Sequence, residues 1–135
     1  MQTLTPDLTW LTLTLTLTAL LWVPYILQLI VQMGPLAALW DPTGAHPHEA
    51  AWALRAKRAH YNAVENLAVF APLTVLVSLQ GVNDGVTATA AAVYFWARLA
   101  HFGLYVTAVP VFRTVAFVTG FGCQMVMAGR ILGVL

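Results

Sequence analysis

Arg58-Ala59-His60-Tyr61-Asn62-Ala63-Val64-Glu65-Asn66 places two charges and two amides where a long apolar run is about to begin. At about 100° per residue, Arg58, Asn62 and Glu65 share one face of a helix, so a cation, an amide and a carboxylate project together. No charge follows until Asp84, and a helix that crosses a bilayer needs about 20 mostly apolar residues. Charged groups at that depth face protein or water rather than lipid, and by default they mark a functional site.

The same pattern recurs on both sides of this stretch. No Asp, Glu, Lys or Arg lies between Asp7 and Asp41, Arg98 is the only charge from Gly85 to Phe112, and Arg130 is the only one from Thr114 to Leu135. The sequence therefore predicts an all-α membrane protein, a four-transmembrane-helix bundle with helices at about 9 to 33, 54 to 80, 86 to 109 and 112 to 133, forming one domain over 1 to 135. Of the 135 residues 60% are hydrophobic and 8% charged, against roughly 25% charged in a soluble domain. The few cations form no basic surface stripe, so a nucleic-acid partner is not expected.

Met1 to Trp10 has no positive region, so the first helix is expected to be retained rather than cleaved as a signal. Arg55, Lys57 and Arg58 lie near the first loop and Arg113 at the third, whereas the second loop has only Asp84. By the positive-inside rule the first and third loops are cytoplasmic and both termini lie outside, with Arg130 the one dissenting charge. The short loops suggest a bacterial inner membrane.

Leu11 to Thr18 reads Leu-Thr four times, a strand-like alternation. It continues without alternation to Val31, too long for one strand, and only closed barrels place strands in a membrane. The run is read as helix, its Thr hydroxyls bonded to carbonyls of the preceding turn. Pro24 and Pro72 predict kinks, Gly34-Pro35 a helix end, and Asp41-Pro42-Thr43-Gly44 a turn. His46, His48 and Glu49 lack a further ligand at metal-binding spacing and are read as an exposed loop, with no metal expected. Val82 to Gly85 is a tight turn, Pro110 ends the third helix, and the fourth returns antiparallel beside it. Trp10, Trp22, Trp40, Trp52 and Trp96 read as interfacial or lipid-facing bulk, and Cys123 as a buried small hydrophobe.

This topology brings Arg58, Asn62, Glu65, Arg98, Tyr105 and Arg113 into one half of the membrane. One reading is structural, with Glu65 pairing Arg98 or Arg58. Against it, the layer holds Arg55, Lys57, Arg58, Arg98 and Arg113 and only Glu65 and Glu49 to balance them. Spare positive charge beside a phenol and amides suits a small anion, for which arginine offers bidentate carboxylate binding.

The motif Arg55-Ala56-Lys57-Arg58-Ala59-His60-Tyr61-Asn62-Ala63-Val64-Glu65-Asn66, with Ala97-Arg98-Leu99-Ala100-His101-Phe102-Gly103-Leu104-Tyr105 and then Pro110 and Arg113-Thr114, resembles the membrane-associated proteins in eicosanoid and glutathione metabolism, the MAPEG family. The resemblance covers most of the chain. It implies homotrimers of four-helix subunits that bind glutathione between subunits near the cytoplasmic face. Carried over residue by residue, it implies that Arg58, Asn62 and Glu65 hold the glutathione backbone, Glu65 taking the amino group. His60 lies at or near that site, Arg98, His101 and Tyr105 line the pocket, and Arg113 stabilises the thiolate, with Tyr105 assisting.

A thiol of pKa near 8.5 is only a few per cent thiolate at neutral pH, and a nearby cation raises that fraction. The implied activity is conjugation of glutathione to a lipophilic electrophile from the bilayer, or reduction of a hydroperoxide. Gln28 to Trp40 holds no arginine, where several catalytic members have one, and Tyr61 stands where some have another. A second expectation therefore stands beside the first: a non-catalytic membrane protein of the same fold that binds glutathione, another small anion or a partner.

Overall fold

The computed structural model describes residues 4–44 and 46–135, and among them every regular element is helical. Helix α1 spans Pro6–Leu20 and α2 Val23–Met33. Thr5 caps α1 by accepting the Leu8 N–H at 3.5 Å, and Pro6 and Asp7 suit a first turn that needs neither an extra donor nor positive charge. The Leu-Thr run is helix, as expected. Thr9, Thr12, Thr14 and Thr16 each donate to the carbonyl four residues back, at 2.8 to 3.0 Å.

Pro24 divides the two helices. It has no N–H for the Leu20 carbonyl, so the chain tightens one turn earlier, with Leu21 N–H bonding Thr18 O at 3.3 Å before Ile26 N–H resumes on Trp22 O. α2 ends at Gly34, whose φ of 87° is left-handed, and the short α3 covers Pro35–Leu39. Asp41 then accepts Thr43 N–H at 3.1 Å, closing the predicted turn.

Helix α4 runs over Ala51–Leu79 as one continuous element with Pro72 inside it, α5 over Gly85–Val106 and α6 over Pro110–Ile131. Asp84 begins α5 with a full capping box: its carboxylate accepts from Val86 and Thr87 N–H while Thr87 Oγ1 accepts from Asp84 N–H at 2.9 Å. α5 ends at Val106, short of the expected 109. The proline at 110 pushes Val109 into extended backbone, so the helix must close before it.

α5 and α6 form the most extensive pair, and α1 packs against α4 and α5. Alanines let them approach: Ala53, Ala56, Ala59 and Ala63 are buried on α4, Ala90, Ala91 and Ala97 on α5. The core centres on Phe70 stacked on Tyr94 at 3.6 Å, with Leu11, Val77, Cys123 and Met127 around them.

Among the described residues three stretches are long and apolar enough to cross a membrane: Pro6–Met33, Ala51–Leu79 and Pro110–Ile131. The expected fourth is α5, whose 22 residues give it a length of about 33 Å. It falls short in apolarity because it carries Arg98 and His101, both turned into the protein.

Side-chain contacts mark the two ends of the bundle. At one, Arg55 Nε donates to Val106 O at 2.8 Å, joining the start of α4 to the end of α5. At the other, Asn83 Nδ2 donates to the buried Asp7 carboxylate and to Ser78 Oγ, both at 3.0 Å, and Arg130 pairs with Asp84. The dissenting charge in the topology reading is thus neutralised by the N-cap of α5.

Candidate functional site

Asn62 lies 11 residues into α4, about 16 Å from its start, and Arg98 eight residues before the end of α5. Because Arg55 and Val106 register these two ends, the two side chains meet at one depth, and Arg98 Nη2 donates to Asn62 Oδ1 at 2.7 Å. Asn66, one turn on, donates to Asn62 O at 2.8 Å, and Gln124 of α6 donates to Asn66 O at 3.0 Å. An amide and guanidinium layer thus ties α4, α5 and α6 together. Arg98 is 3% exposed, His101 3% and Tyr94 1%.

Nearer the basic end, the Arg113 guanidinium sits over the Tyr105 ring, 4.4 Å from its centre, and the His101 ring meets Tyr105 edge-on at 5.6 Å. Phe117 of α6 backs His101 at 6.2 Å. Arg113 is half-buried at the first turn of α6, and among the described residues no carboxylate pairs with it. Cation, phenol and imidazole therefore follow one another from the rim inward.

Arg58 and Glu65 lie apart from this group. Both are exposed on the outer surface of α4 and make no hydrogen bond or ion pair among the described residues. The expected pairing of Glu65 with Arg98 or Arg58 is absent. Arg98 takes the neutral Asn62 instead, because burial turns it toward the α4 seam while Glu65 stays on the outer side of the helix.

His60 faces α2. Its Nδ1 lies 2.8 Å from the Tyr25 hydroxyl, on the opposite side of α4 from Arg58 and Asn62. The loop also docks there: His48 Nδ1–H donates to Gln28 Oε1 at 2.8 Å and packs edge-on against Tyr25. Gln28 donates to Gln32, which donates to Pro47 O and accepts from Glu49 N–H at 3.0 Å. His48 is therefore half-buried and fixed, unlike the exposed loop expected. It is also held below the usual histidine range, first by partial burial and then by Lys57 and His46. Beside this ladder lies an open groove of about 580 Å³, with apolar walls from Pro24, Leu27, Val31 and Trp52.

One protomer thus gathers Asn62, Arg98, His101, Tyr105 and Arg113, and leaves Arg58, Glu65 and His60 on other faces. Sequence reasoning passed over Gln124 and the Gln28–Gln32 ladder. The only signal for each was an amide inside an apolar run, which spacing alone does not assign to a partner.

A family model described as MAPEG family matches residues 9–133, nearly the whole chain. No curated protein matches.

Proposed function

The chain belongs to the MAPEG family, and on that premise we propose that it is a glutathione-dependent integral membrane enzyme. It conjugates glutathione to lipophilic electrophiles, or reduces lipophilic hydroperoxides, through a thiolate stabilised by Arg113. The observation that carries this reading is the Arg113 guanidinium over Tyr105 with no carboxylate to neutralise it. An unneutralised cation next to a phenol lowers the pKa of a thiol brought beside it. In conjugation, the sulfur lone pair forms a bond to the electrophilic carbon, a leaving group departs with its electron pair, and the thiol proton passes to solvent.

In this reading the chain crosses a bacterial inner membrane four times, α5 included, with both termini outside. Three protomers assemble so that the outer α4 face meets a neighbour. Arg58, Asn62, Glu65, His101 and Tyr105 then hold the tripeptide, Arg98 braces the pocket through Asn62, and His60, bonded to Tyr25 on the other side of α4, stands outside it. The lipophilic partner reaches the site laterally from the bilayer. Purified enzyme in detergent should conjugate glutathione to a chloronitrobenzene. Arg113→Ala should lower kcat by about a hundredfold while glutathione affinity stays within about threefold. A wild-type protein inert toward a broad panel of electrophiles and hydroperoxides contradicts the reading.

A second reading has its own observation. Gln28 and Gln32 occupy the end of α2 and are fully engaged in holding residues 47 to 49, so no cation stands there. On this reading the protein binds glutathione, another small anion or a partner without turnover. Calorimetry that finds saturable glutathione binding alongside null kinetics favours it, and saturable turnover ends it.

A further inference from the structure

Arg98 is a buried cation that no acidic group of its own protomer neutralises. The chain has five acidic residues. Asp7 is bonded by Asn83 and Asp84 by Arg130 at the far end of the bundle, Asp41 and Glu49 belong to the loop before α4, and Glu65 is exposed on the outer face of α4. Among the described residues Arg98 has one hydrogen-bond partner, Asn62, and its Nε and Nη1 are buried with none. One turn away on the same face of α5, the buried Tyr94 hydroxyl has the Gln124 side chain near it but no group among the described residues within hydrogen-bond geometry, as is true of His101 Nδ1 a turn the other way.

The Arg98 stem and the Tyr94 ring both pack on α6 at Gly120. A Cβ there would sit 3.6 Å from Arg98 Cδ and 3.7 Å from the Tyr94 ring, so the missing side chain lets both lie against the helix. A guanidinium stays charged at any physiological pH, and a buried charge requires both a counter-charge and hydrogen bonds to its free donors. A monovalent inorganic anion meets both needs at once, since it accepts from several N–H and O–H groups without demanding a fixed geometry.

We propose that Arg98 Nε and Nη1 and the Tyr94 hydroxyl hold a halide-sized inorganic anion inside each protomer, between α5 and α6 and separate from the thiol site at Arg113. The ion balances Arg98 in the resting protein and makes the polar layer self-sufficient. This goes beyond the enzymatic reading and does not depend on it.

The test is thermal melting of the purified protein in detergent, without glutathione, titrated with bromide or chloride against gluconate at constant ionic strength. The expected result is a saturable rise of a few degrees in halide. It should vanish in Arg98→Gln. In Tyr94→Phe, which keeps the stack on Phe70, the half-saturating halide should be roughly threefold to tenfold higher. If Arg98→Gln does not fold, Tyr94→Phe and the anomalous signal of bromide in crystals decide, with a peak expected beside Arg98. Melting that ignores the identity of the anion overturns the proposal. So does a halide effect that glutathione abolishes competitively, which would give Arg98 to the tripeptide site.

Discussion

A guanidinium 3% exposed and bonded to one neutral amide makes Asn62 an exacting position. Removing that acceptor leaves a buried charged donor unsatisfied, so Asn62→Leu should destabilise the protein by about 2–3 kcal/mol, measured by chemical denaturation in detergent. A variant as stable as the wild type would mean that Arg98 is satisfied without α4. Helical spacing placed Asn62 and Arg98 at one depth correctly, because the 1.5 Å rise per residue and the antiparallel topology determine both. It offered Glu65 as the partner of Arg98, where the structure has Asn62. The two lie on one broad face, and only the seam with α5 decides which is turned inward.

Helix ends give the next level of test. α4, α5 and α6 all close with paired bonds from the second and first residues past the cap: Val82 to Val77 O, Val109 to Leu104 O and Val134 to Gly129 O. This closure needs a left-handed residue, supplied by Gly81 at φ 67° and Gly133 at φ 69°, but in α5 by Ala108 at φ 61°. A Cβ there is strained, so Ala108→Gly should stabilise the protein by about 0.5–1 kcal/mol in the same denaturation assay. Unchanged or lower stability would show that the strain is relieved elsewhere. The same residue explains why the end of α5 was misjudged: proline marks a stop clearly, whereas an alanine in a glycine conformation carries no signal. Pro24, by contrast, announced its break, and the Leu-Thr run was legible as helix because length and the membrane both exclude a strand.

Across the whole molecule the outer face of α4 is the unfinished part. Glu65 stands 14 residues into α4, about 21 Å from its start, exposed beside Val64 and Val69. A carboxylate on a lipid-facing surface at that depth is costly, and in the proposed trimer a neighbouring copy would cover it. We therefore expect the detergent-purified protein to have the mass of a trimer in light scattering, with Glu65→Leu leaving the trimer intact while weakening glutathione binding. A stable monomer contradicts this assembly. The composition and charge gaps made the membrane class legible, and the Arg58 to Glu65 spacing made the outer face legible. Half of the candidate site remained hidden because its residues are divided between an interior layer and the exposed outer surface of α4. The most direct test of the central claim is the ultraviolet difference spectrum of glutathione added to the protein at neutral pH. The thiolate band should appear with the wild type and be lost in Arg113→Ala at saturating glutathione; a wild-type protein that binds glutathione wholly as the thiol would contradict it.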